Sequence, residues 1–460
     1  VKSNAPRIII SAISSNSGKT TVTSAVLKAF KSRGNKVASF KAGPDYIDPM
    51  FHSRIIKIPS RNLDKFMIGE NNCRYILGKN SINRDISVIE GVMGYYDGIG
   101  TDTSCSTYEL ATVLNSPVVL VINPSSMAAS VGAIIHGFIN FRENSNIKGV
   151  ILNNVSDAMF GYYKNIIEIN TDVKVYGYMP KLANCRLESR HLGLVTAEEI
   201  GNLESIIEEL GEQALKTIDL EGLYELATSS DSIEYDEPNI NYIGKTKIAV
   251  AYDKAFCFYY EDNLDILAQM GAEIVKFSPI EDEVLPKGIG GLYIGGGYPE
   301  LYMDELSGNK SMLDDIKKKV TDELPTFAEC GGYMYLMNSF TDKQGKLYSL
   351  VGAIEGNSFM TDSLKRFGYI TLTSQNNNLM CKAGESINGH EFHYSDSNNI
   401  GEAFLAVKPE SKRSWNAVIA DEAKFMGYPH LNFMGNIKFA ENFIKKSSEY
   451  FKSNFDIDKK

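Results

Sequence analysis

The chain has 460 residues, 43% of them hydrophobic and 23% charged, which is material for two or three soluble cores rather than one. Its formal net charge of −10 argues against a general nucleic-acid binder, so an anionic ligand has to meet locally placed Lys and Arg. There is no apolar run of about 18 residues, and the six cysteines (73, 105, 185, 257, 330, 381) lack metal-ligand or disulfide-framework spacing, so we expect no membrane span, no secretory signal and a cytoplasmic location.

Short β-branched runs alternate with longer helical patterns, the signature of parallel α/β layers. Strands are predicted at 7–12, 36–41, 86–90, 117–122, 147–152 and 174–178. The first runs into Ser14-Ser15-Asn16-Ser17-Gly18-Lys19-Thr20-Thr21, and a helical pattern from Val22 to Phe30 follows at once. In that strand-to-helix setting, backbone N–H groups of Ser17 to Thr21 cradle phosphate, Lys19 neutralises charge and the Thr20 hydroxyl faces a magnesium ion. The strict Gly-x-x-x-x-Gly-Lys-Thr form is not met, because Ile13 stands where its first glycine belongs.

Two later loops leave the carboxyl ends of strands, where open parallel sheets bind ligands. One is Lys41-Ala42-Gly43-Pro44-Asp45-Tyr46-Ile47-Asp48-Pro49; the other is Glu90-Gly91-Val92-Met93-Gly94-Tyr95-Tyr96-Asp97-Gly98. Asp45, Asp48, Glu90 and Asp97 are hard oxygen donors suited to Mg²⁺ beside a triphosphate. The plainer reading of any one of them is a solvated turn residue or helix cap.

The stretch 231–245 is polar, contains Pro and Gly, and has neither strand nor helix periodicity. We expect a linker there, between a domain over 1–230 and another over 246–455. The second begins with a strand at 247–251, continues with a helix near 260–270, and has strands near 273–277, 291–295 and 325–329. Residues 345–425 read as short strands and turns, and 436–452 as a closing amphipathic helix.

Pro325 to Glu329 reads as a buried strand and Gly331 to Leu336 as a helix start, so Cys330 sits on a tight strand-to-helix turn. Small glycines permit the turn, and a helix start lowers a thiol pKa. The Gly331 N–H then faces a developing oxyanion, with a second donor from Gly296 or Gly297 in Gly295-Gly296-Gly297-Tyr298-Pro299. A nucleophilic Cys needs an imidazole near it in space. His430, His390 and His393 are the candidates, and His390-Glu391-Phe392-His393 lacks the spacing of a zinc helix. A phosphate loop with a cysteine elbow suggests ATP-driven amidation with glutamine as nitrogen source.

With these residues, and with Arg190-His191-Leu192-Gly193-Leu194 and Gly389-His390-Glu391-Phe392-His393-Tyr394-Ser395, the chain closely resembles the cobyrinic acid a,c-diamide synthases, glutamine-dependent enzymes of cobalamin biosynthesis. The resemblance extends over nearly the whole chain. It implies an α/β fold of two domains, an N-terminal phosphate-loop nucleotide-binding domain similar to dethiobiotin synthetase and a C-terminal class I glutamine amidotransferase domain. It also implies that Cys330 and His430 are the catalytic pair, with Gly296, Gly297 and Gly331 around the oxyanion.

The resemblance further implies Ser17, Gly18, Lys19, Thr20, Thr21 and Lys41 on the nucleotide, with Asn153 reading the adenine. Thr20, Asp45 and Glu90 fall around Mg²⁺, and Asp45, Tyr46, Ile47, Asp48 and Asp97 about the substrate carboxylate. ATP and glutamine are the implied co-substrates and cobyrinic acid the implied acceptor, with neither nucleic acid nor membrane as a partner. Hydrogenobyrinic acid or nickel-sirohydrochlorin are alternative acceptors, and a switch ATPase without amidation is a different class of reading.

Four positions depart from the family pattern. Ala12 and Asn16 stand where glycine is common, Asn154 replaces a common Arg, and Asn432 occupies the place where class I amidotransferases often carry a Glu two residues after the histidine. The last departure leaves the third member of the triad open between a weaker hydrogen-bonding group at that position and a residue elsewhere.

Overall fold

The computed structural model describes residues 1–182, 189–190, 193–194, 203–411 and 413–455, in two compact units, Val1–Pro238 and Asn239–Lys460. His191 and Leu192 of the Arg190 to Leu194 motif lie outside the described residues.

The first unit is built on seven parallel strands. Their order across the sheet is Ser60–Leu63, Val37–Ala42, Ile86–Glu90, Arg7–Ala12, Val118–Ile122, Ile147–Asn153 and Lys174–Met179. A parallel sheet covered on both faces needs apolar side chains on both, which is why Val118 to Ile122 is an unbroken aliphatic run, buried throughout. The helix Lys19–Ser32 lays Val22, Val26 and Phe30 on the sheet, and Ile206 and Leu210 of the helix Leu203–Thr217 join the same core. Arg7–Ala12 lies between the neighbours Ile86–Glu90 and Val118–Ile122, so the loop after it opens where the strand order reverses, the usual ligand crevice of such sheets.

Around the change of unit, the polar stretch is partly packed. Ile233–Glu234 pairs antiparallel with Lys2–Ser3, and Ile233 and Tyr235 are buried.

The second unit has a six-stranded sheet in the order Ala272–Phe277, Thr246–Ala251, Gly291–Ile294, Thr326–Glu329, Lys424–Gly427 and Ile419–Ala420. The first five are parallel and the last is antiparallel. A separate, mainly antiparallel sheet is built on Asn357–Ser374 and Ser386–Ser397, with His430–Leu431 paired to the latter. Residues 345–425 therefore contain two long strands where short ones are expected from the sequence. Their pairing shifts register between Met360 and Lys365 and again between Lys365 and Gly368, which breaks the alternation that would have revealed their length. The chain leaves the first sheet at Gly427 and enters the second at His430. The closing helix, Ile437–Phe455, buries Phe439, Phe443 and Ile444.

Candidate active site

In the first unit the phosphate loop ends at Gly18, which caps the helix Lys19–Ser32 with φ 87°. A Cβ there would lie 1.9 Å from Asn153 Nδ2, so the position admits only glycine. Asn153 Nδ2 donates to the Ser17 carbonyl at 3.0 Å. The side chain expected to read adenine thus pins the phosphate loop itself. Asn16 has φ 62°, the left-handed region that Asn tolerates better than most residues.

Beneath the loop lies a buried charge cluster. Thr20 Oγ1 donates to Glu90 Oε1 at 2.6 Å. Lys41 Nζ stands 2.5 Å from Asp48 Oδ2 and 3.2 Å from Glu90 Oε1. His52, absent from the sequence reading, places Nε2 3.4 Å from Glu90 Oε2 and shares a 2.9 Å hydrogen bond through Nδ1 with Ser39 Oγ. Burial opposes the charge on Glu90, but Lys41 and then His52 outweigh it and hold the carboxylate ionised. Burial and the nearby Glu90 charge push Asp48 the other way, well above the usual carboxylate range. Lys19 donates to the Met93 carbonyl at 2.7 Å, and burial, then the Lys41 charge, lowers its pKa to about 8.

The remaining loop residues have local tasks. Asp45 Oδ1 accepts from the Ile47 N–H at 3.0 Å, and Asn62 Nδ2 donates to the carbonyls of Gly43 and Asp45. Asp97 Oδ2 accepts from the Gly94 N–H at 2.9 Å. Tyr46 is half-buried and Ile47 is buried. Among the described residues no three His, Cys, Asp or Glu side chains converge as a metal cage. The donor set fits Mg²⁺ of the kind that takes one or two protein oxygens and fills its shell with phosphate and water: Thr20 and Glu90 are the pair already in contact.

In the second unit Cys330 follows the strand Thr326–Glu329 and precedes the helix Gly331–Leu336, with φ 46° and ψ −106°. Such a conformation costs a non-glycine residue about 1–3 kcal/mol and is typical of functional turns. Its N–H donates to the Gly427 carbonyl at 2.8 Å, and the Gly332 N–H donates to the Gly295 carbonyl at 3.0 Å. Burial, then the Glu300 charge, pushes the Cys330 thiol far up, while the Gly331 N–H on the sulfur pulls it back. A Cβ on Gly331 would lie 3.4 Å from the Gly297 nitrogen, so the two expected oxyanion donors are neighbours.

His430 is buried and lies against the glycine loop: a Cβ on Gly296 would come within 2.6 Å of its Cε1. Burial, then His390 and His393, lowers its pKa to about 3, so the imidazole is a neutral base. The rival histidines lie on the neighbouring strand Ser386–Ser397. His390 pairs with His430 across the strands. His393 uses Nε2 on Glu391 at 2.9 Å and Nδ1 on the Ser395 carbonyl at 2.7 Å, and its ring stacks on Tyr428 at 4.0 Å. Asn432 Oδ1 accepts from the Met434 N–H at 3.1 Å and caps the turn Phe433–Gly435.

Family models match both units: a CobQ/CobB/MinD/ParA nucleotide binding domain over residues 8–195 and a CobB/CobQ-like glutamine amidotransferase domain over residues 247–436. The cobyrinate a,c-diamide synthase of Clostridium tetani is 43% identical, the alignment covering 95% of this chain and 99% of that protein. Its counterpart in Caldanaerobacter subterraneus subsp. tengcongensis is 40% identical over 96% and 98% of the two chains. That of Thermoplasma volcanium is 39% identical over 97% and 98%. A nucleotide-binding unit and a glutamine amidotransferase unit, matched end to end at this identity, place the chain in the cobyrinate a,c-diamide synthase family.

Proposed function

We propose that the protein converts the a and c carboxylates of cobyrinic acid to amides, using ATP and a nitrogen released from glutamine. The observation that carries this reading is the presence in one chain of a phosphate loop whose Thr20 is bonded to Glu90 and a strained Cys330 turn whose neighbouring loop holds His430. Relatives over 95% of the chain bear the name of that reaction.

At the first site a substrate carboxylate oxygen attacks the γ-phosphorus of ATP, and ADP leaves. Lys19 and Lys41 neutralise phosphate charge, and Ser17, Gly18 and Thr21 supply the loop around it. Mg²⁺, held by Thr20 and Glu90 with Asp45 near, would add charge neutralisation on the phosphates. The acyl phosphate is then attacked at carbon by ammonia and phosphate leaves. Tyr46 and Asp97, with Asp48 in the first turn of the helix Ile47–Arg54, belong to the segments that would receive the acceptor.

At the second site Cys330 Sγ attacks the glutamine amide carbon while His430 takes the thiol proton and passes it to the departing ammonia. The N–H groups of Gly297 and Gly331 receive the oxyanion, and water hydrolyses the thioester to glutamate. The variant Cys330→Ser should lose glutamine-dependent synthesis and keep synthesis from added ammonia. Loss of both in a folded protein would refute this division of labour. The acceptor is tested by offering cobyrinic acid, hydrogenobyrinic acid and nickel-sirohydrochlorin separately with ATP, Mg²⁺ and glutamine and reading product masses. Two carboxylate-to-amide changes on cobyrinic acid alone are expected; the same change on another ring would move the reaction to that substrate.

A further inference from the structure

Asn432, at the place of the missing Glu, has its oxygen engaged in its own turn. The strand carrying His430 is two residues long, and its Leu431 is held from the side opposite its strand partner by buried side chains. The Leu431 N–H donates to Glu329 Oε1 at 2.7 Å, and its carbonyl accepts from Asn263 Nδ2 at 2.8 Å. The other oxygen of Glu329 accepts from Tyr293 Oη at 2.8 Å. Glu329 is the residue before the nucleophile, and Leu431 the residue after the base. One carboxyl therefore links the turn of Cys330 to the strand of His430, and it does so between the two larger sheets of the unit.

A buried carboxyl costs several kcal/mol unless both its oxygens are satisfied, and Glu329, 1% exposed, ends a strand whose other residues are fully buried. We propose that Glu329 is a positioning residue for glutamine hydrolysis: by accepting from the Leu431 N–H it sets the His430 imidazole relative to Cys330, a task that a carboxylate on the ring performs in other triads. The inference rests on Cys330 and His430 being the catalytic pair. The geometry asks for an acceptor at a fixed distance rather than for a charge.

The test compares Glu329→Gln, Glu329→Asp and Glu329→Ala in the full-length enzyme. Gln retains the acceptor, and its kcat for glutamine hydrolysis should stay within about threefold of wild type. Asp withdraws the acceptor by one methylene and Ala removes it, so both should lower kcat roughly 100-fold, the scale of a 1 Å misplacement. KM for glutamine should stay nearly constant, and synthesis from ammonia should be unaffected. In a His430→Ala background, Glu329→Ala should cost nothing further, because a residue that acts through the imidazole has nothing left to position.

Full activity of both Asp and Ala, a loss in Gln as deep as in Ala, or additive losses with His430→Ala would each overturn the proposal. Should Ala fail to fold, the contrast between Gln and Asp decides. Glutamine hydrolysis retained by Cys330→Ala or His430→Ala would bring down the catalytic pair itself.

Discussion

Cys330 and His430 rest as a neutral thiol and a neutral imidazole, because burial disfavours both charges. Alkylation of Cys330 by iodoacetamide, followed on its own peptide by mass spectrometry, should be slow at neutral pH. It should rise about tenfold per pH unit towards pH 9, since only the thiolate reacts; a plateau below about pH 8 would reveal a preformed ion pair. Gly296→Ala places a Cβ 2.6 Å from the His430 ring and should lower glutamine hydrolysis by roughly two orders of magnitude while sparing synthesis from ammonia. The settings of Lys19, Thr20 and Cys330 are legible in sequence because their neighbours dictate the local backbone: a strand, a glycine turn, a helix. His430 stands as one of three candidate histidines until the resemblance singles it out. His52, Asn62 and Glu329 were not legible, for each acts by reaching a group distant along the chain. The available signal for Glu329 was an acidic residue closing the otherwise uncharged strand Thr326–Glu329.

At the scale of elements, the parallel strands were readable because burial on both faces demands continuous apolar runs. Ser60–Leu63 escaped, since Ser-Arg-Asn-Leu carries no β-branched residue and pairs only through Val37–Ala42 at the sheet edge. The strand Thr326–Glu329 brings a pH dependence of its own. Burial raises the Glu329 pKa from 4.5 to about 8, beyond what the Leu431 N–H and Tyr293 can offset. The folded state then holds a proton the unfolded chain has released, so this stabilisation is full below about pH 4.5 and is lost as pH rises through about 8. Glu329→Gln should flatten the fall in denaturant midpoint across that window, and an unchanged slope would assign it to other groups.

The whole molecule has a separate hydrophobic core in each unit, one around Val26, Phe30 and Val119 and the other around Leu292, Ile316 and Tyr333. A ligand that binds only the folded form of one unit stabilises that unit, by about 2.7 kcal/mol at a hundredfold excess over its Kd. Calorimetry with an unreactive ATP analogue and Mg²⁺ should therefore raise the transition that Val26→Ala lowers, and leave unmoved the one that Leu292→Ala lowers. Movement of both together would mean the units melt as one. The second unit has a further property. Cys330 is carried by the six-stranded sheet and His430 by the sheet of Asn357–Ser374 and Ser386–Ser397, so the chemistry depends on the seam between two layers while circular dichroism sees only the layers. Glutamine hydrolysis should fade at denaturant concentrations where the spectrum is still native, which makes enzymatic turnover an early-warning gauge of slippage between sheets that have not yet begun to unravel.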